Sequence, residues 1–191
     1  MKAIDKIEAF EPCLTAIEWL KSRTIEQLVD ECRRGDWMLW LAVHLRMDYK
    51  ILMQAKVKCV KTASHLMVDK NAIASLETAE KFSLGTISRD EFQVHLGNYL
   101  HPTYNLQFTY VAADAAALFA CYFDDYTYKI TDLNVAAENA YNVAAYVADA
   151  FANTCDNYRE GAKLQAKSRL DTANICREVF GQLMKDLLNA L

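Results

Sequence analysis

His44 and Asp48 stand four residues apart, one turn of a helix, so an imidazole and a carboxylate could share a metal from one face. A closed site needs more ligands than that pair. No second pair at ligand spacing accompanies it, and no HExxH run occurs. His65 lies in an apolar stretch, and His95 and His101 flank a turn, so all three read as packed or solvated rings. Asp124-Asp125 is half of an acidic magnesium motif, but Tyr128 stands where the third carboxylate would be needed. There is no glycine-rich phosphate loop, and no serine or cysteine carries the local signature of a nucleophile. No metal, no cofactor and no catalytic residue are expected. An enzyme with a site near Arg34, Asp36, His44 and Asp48 is the outlying alternative.

The densest constellation is Cys32 to Leu41, which contains RGDWMLWL. It reads as a helix that stops at Gly35, a natural left-handed C-terminal residue, followed by a restart capped by Asp36. Trp37 and Trp40, three apart, then share one face. Arg34, Gly35, Asp36, Trp37 and Trp40 are thus expected to form a structural corner, with Arg33 and Arg34 offering a contact to an anion or partner. The integrin-type tripeptide Arg34-Gly35-Asp36 is read as coincidence. Lys50, Lys56, Lys58 and Lys61 form a basic run on one helix, but a sequence pI of about 5.6 favours a solvated face over a nucleic-acid surface.

Net charge is −4, unevenly spread. Residues 1–102 balance 14 cations against 14 acids, and 158–191 carry six against four. Between them, residues 103–157 hold one cation, Lys129, against seven acids, together with most of the ten tyrosines. Such a surface repels nucleic acid and attracts basic proteins, since tyrosine supplies rigid contact area and carboxylates steer arginine and lysine. Tyr122, Asp125, Tyr126, Tyr128, Glu138, Tyr141 and Asp149 are the candidate partner-binding residues.

The elements that must position these residues are helices. Only 5 glycines and 2 prolines occur, too few for the tight turns of a β-rich chain. Thr24-Ile25-Glu26-Gln27 and Ser88-Arg89-Asp90-Glu91 are capping boxes, and Pro12 suits a first helical turn. Leu14, Ile17 and Leu20 should share a face, Asp48 should cap a helix running to about Val68, and a helix over 71–84 should end at Gly85. Three long helices are expected near 104–124, 132–157 and 162–189, with a turn at Arg159 to Gly161. Val111-Ala-Ala, Val135-Ala-Ala and Val143-Ala-Ala place small residues on stripes that let helices approach closely. The expected fold is all-α, a single-domain bundle of about seven or eight helices over residues 1–191.

Apolar runs such as Ala115 to Phe123 are about half the ~20 residues of a spanning helix, and MKAIDKIEAF has no signal-like apolar core. The six cysteines are widely spaced without a CxxC pair, as in a reduced cytoplasmic protein, and no membrane association is expected.

The run C-x-RGDWMLWL from Cys32 to Leu41 resembles the opening signature of the alanine-rich helical immunity proteins of bacteria and phages. The segment Ile73 to Phe82 before Gly85, the Ala/Tyr/Asp-rich stretch 110–151 and Ile175-Cys176-Arg177-Glu178-Val179 resemble later blocks of that family. Phe180 departs from its pattern, which would have Ile-Pro there. The resemblance implies an all-helical protein that binds and neutralises a basic toxin or effector, and it carries over no catalytic residues. A structural or regulatory phage-type protein that forms homo-oligomers through its alanine-rich helices is the rival reading.

Overall fold

Side-chain caps start several helices where the sequence places them. The Thr24 hydroxyl accepts from the Gln27 N–H while the Gln27 side chain accepts from the Thr24 N–H, opening α3 (Ile25–Glu31). Asp48 accepts from the backbone of Lys50 and Ile51 at the head of α5 (Tyr49–Lys61). Asp69 caps α6 (Lys70–Ser83), and Ser88 with Glu91 forms the reciprocal box at α7 (Arg89–Tyr99). Each device satisfies backbone donors that a helix start otherwise leaves bare.

The computed structural model describes residues 2–99, 112–121 and 133–191. Its other helices are α1 (Ile4–Ile7), α2 (Leu14–Leu20), α4 (Gly35–His44), α8 (Ala112–Cys121), α9 (Leu133–Ala152) and α10 (Tyr158–Ala190). The class is all-α: among the described residues there is no strand, only one antiparallel bridge between Lys2 and Thr24. No described helix is long and apolar enough to cross a membrane. The helix number is ten among the described residues, more than the seven or eight expected. The excess lies in the N-terminal half, where helices of four to seven residues are too short to carry a periodic signal.

The centre of the packing is α9, which touches α4, α5, α8 and α10. Ala136, Ala137, Ala140, Ala144 and Ala148 are buried on it, as are Ala113, Ala116, Ala117 and Ala120 on α8. Small side chains let the backbones close up, and Phe119 stacks on Tyr146 at 5.3 Å to fill the flank. A short loop over 153–157 returns the chain into α10, about 50 Å long at the usual rise. Asn157 caps α10, so the turn expected at Arg159 to Gly161 lies inside its first helical turn. Gly161 lies against the end of α9, where a Cβ would come 3.0 Å from the Ala152 carbonyl oxygen.

Three local expectations are overturned by tertiary packing. Leu14 is 79% exposed, so α2 is held instead through Ala16 and Leu20. Lys56, read as part of a solvated run, is buried in α5, whereas Lys58 pairs with Glu178 and Lys61 with Glu80. Gly35 is the first residue of α4 and not the left-handed end of α3, which stops at Glu31. Gly85 does take that conformation, at φ 72°, as expected.

The reason for glycine at position 35 is proximity. A Cβ there would overlap the side chain of Thr172 on α10 and stand 2.7 Å from that residue's backbone carbonyl carbon. Backbone cannot yield as a flexible side-chain tip can. Gly35→Ala should therefore cost about 2–3 kcal/mol in urea denaturation, against about 1 kcal/mol for Gly85→Ala, where a Cβ meets nothing and only the left-handed strain is added.

Candidate functional site

The start of α4 is built around a carboxylate with no exposure. Asp36 is 0% exposed and receives Arg34 in a two-pronged contact, Nε to Oδ1 at 2.8 Å and Nη2 to Oδ2 at 2.6 Å. Its Oδ1 also accepts from the Trp37 N–H at 2.9 Å. The Asp36 side chain thus serves the next residue while Arg34 occupies the cap position, and the capping role expected of Asp36 is not what it performs. A carboxylate in the first turn is favoured by the helix dipole, and the paired guanidinium offsets part of the cost of burying it. Arg34 reaches further: its guanidinium carbon lies 4.7 Å from the Trp37 ring centroid and its Nη2 lies 3.5 Å from the Tyr141 hydroxyl on α9. Arg177 from α10 donates to the carbonyls of Val29 and Cys32 at 3.3 and 2.6 Å, satisfying the end of α3. Arg34, Gly35, Asp36 and Trp37 therefore form a junction between α4, α9 and α10.

Beside this junction lies a half-open apolar cavity of about 110 Å³. Trp19 of α2, Trp37 and Trp40 of α4 and Tyr141 of α9 line it, with Cys13 and Ala16 among the remaining wall residues. Sequence reasoning paired Trp37 with Trp40 but did not bring in Trp19. The available signal was scarcity, since these are the chain's 3 tryptophans and all of them meet here.

The groups of the outlying enzyme reading are not gathered around one point. Asp36 is engaged by Arg34, Asp48 caps α5, and His44 lies two helical turns beyond Asp36, about 12 Å along the axis. His44 is enclosed by Phe10 at 5.1 Å and Trp40 at 4.3 Å between ring centroids, and its Nε2 has no hydrogen-bond partner among the described residues. No group of three or more metal-capable side chains converges among the described residues.

Of the candidate partner-binding residues, Tyr122, Asp125, Tyr126 and Tyr128 lie outside the described residues. Glu138, Tyr141 and Asp149 all belong to α9, and their spacing of three and eight sets them along one stripe of it. Glu138 is exposed, Tyr141 is half-buried at the cavity, and Asp149 is half-buried, accepting from the Gln165 amide at 2.8 Å. Asp114, counted in the acidic block, turns inward instead: it is 1% exposed and accepts from the Val68 and Asp69 N–H groups at 3.1 Å. Burial raises its carboxyl above the ordinary 3.8, against the lowering effect of those two bonds.

No family profile, curated protein or solved structure matches the chain.

Two measurements probe the junction and its flank. Asp36→Ala removes the partner of a guanidinium whose side chain is only 24% exposed, and should cost about 2–4 kcal/mol, more than Asp36→Asn. Burial holds the His44 imidazole below its ordinary 6.5, so the folded chain disfavours its protonated form. That contribution to stability is complete above pH 6.5 and declines as the pH falls below it. Urea midpoints from pH 7 to 5 should fall more steeply for the wild type than for His44→Phe, and parallel curves would refute this assignment.

Proposed function

We propose that this chain is a non-catalytic, immunity-type binding protein that engages a basic toxin or effector through the solvent-facing stripe of α9. The observation that carries this reading is the alignment of Glu138, Tyr141 and Asp149 on that stripe, with Tyr141 also walling an apolar cavity. Carboxylates around an aromatic and an adjoining apolar recess are the ingredients of a protein interface, in which desolvated anchors hold and peripheral charges steer. Glu138 makes no ion pair with the described residues, so its charge is available to a partner. Scattered cysteines, free at Cys13, Cys32, Cys59, Cys155 and Cys176, fit the same reading.

Self-assembly through the alanine-rich helices draws less support. Most alanines of α8 and α9 are already covered by the chain's own helices.

Stopped-flow association with a basic protein recovered by pull-down on the full chain tests the proposal. Reversing Glu138 and Asp149 together to lysine should slow association at least about tenfold at low salt, and the difference should shrink as added salt screens the charges. An association rate indifferent to both reversals and to ionic strength would refute an electrostatically steered α9 interface.

A further inference from the structure

We infer that the tryptophan-walled cavity is a binding site for one neutral, single-ring aromatic group. Its volume of about 110 Å³ is on the scale of the roughly 150 Å³ apolar cavity that holds one benzene, and its open side leaves room for a small substituent. The wall is apolar almost throughout and contains no Asp, Glu, Lys or Arg, so a charged ligand would lose its hydration without recompense. Water is a poor tenant for the same reason, because a held water needs two to four polar partners.

The walls are set before any ligand arrives. Trp19 and Trp37 meet edge to face at 6.0 Å. The Arg23 guanidinium lies 4.2 Å from the Trp19 ring centroid and that of Arg34 lies 4.7 Å from Trp37, yet neither arginine lines the cavity. These cations brace the indoles without entering the site, which lowers the ordering cost of binding. Cys13 is the one wall residue in the exposed class, which puts it on the open side of the recess.

Such a ring can arrive as a free small molecule or on the side chain of a protein partner. The second source rests on the α9 docking reading; the first does not.

Phenol is the probe, titrated into the full chain with tryptophan fluorescence and calorimetry as readouts. The expected result is saturable binding with Kd on the order of 0.1–1 mM, benzoate at least about tenfold weaker, and a melting temperature that rises with phenol concentration. Ala16→Leu fills the cavity and Cys13→Phe, at an exposed position, blocks its open side; each should abolish the response while leaving the circular dichroism of the fold unchanged. N-acetyl-tyrosine amide binding as tightly as phenol assigns the ring to a partner's side chain, and binding about tenfold weaker assigns it to a free molecule. The site is overturned by three results: no saturable response or thermal shift with phenol, benzoate binding as tightly, or undiminished binding in both folded variants. Because phenol binding needs neither Glu138 nor Asp149, its failure is distinguishable from failure of the charge-steered interface.

Discussion

The start of α4 lies so close to α10 that a backbone carbon of Thr172 occupies the space a side chain at position 35 would need. This contact ties together parts of the chain 137 positions apart, and much of the junction follows from it. With the helices this close, Asp36 is shut away from water, so it must carry its own cation, and Arg34 supplies it from two residues before. Arg34 in turn is held over Trp37 and toward Tyr141, which joins α9 to the same point. Arg177, one residue beyond Cys176, closes the end of α3 from the α10 side, while the Cys176 thiol points its weak donor at the Gly35 carbonyl at 3.9 Å.

A similar economy of space governs α9. Its buried stripe of alanines contributes little apolar area per residue, so stability there must come from close backbone approach and from many helices sharing one neighbour. Large rings pack elsewhere: Phe82 stacks between Tyr49 and Phe92 at 5.6 and 4.6 Å, and the tryptophans of α2 and α4 gather around the recess. The tryptophans do not fill the space they enclose. Rings packed edge to face meet at angles, and the recess that remains is floored by residues as small as Ala16.

How much of this was legible depends on whether the cause was local. The caps at Thr24, Asp48 and Ser88 were readable because each side chain accepts from a backbone N–H three residues or fewer away. Gly85 was readable for the same reason, since left-handed backbone is a property of one residue. Gly35 was not, because glycine is required equally by a positive φ and by a backbone crossing, and the partner that decides between them is Thr172. Lys56 and Asp114 were misassigned to solvent because charge is a good guide to exposure until a specific pocket overrides it. The cavity itself was half visible: the Trp37–Trp40 spacing declared one wall, while Trp19 and Tyr141 join only through the packing of α2 and α9 on α4.

The junction and the recess are consequently one construction. Arg34 satisfies Asp36 through Nε and Nη2, steadies Trp37 with its face, and reaches Tyr141 from the same Nη2. A ligand or anchor entering the recess meets Trp37 and Tyr141, the two aromatics that Arg34 holds. The side chain that neutralises Asp36 therefore also touches two walls of the recess, so a substitution at Arg34 acts on the buried carboxylate and on the recess together.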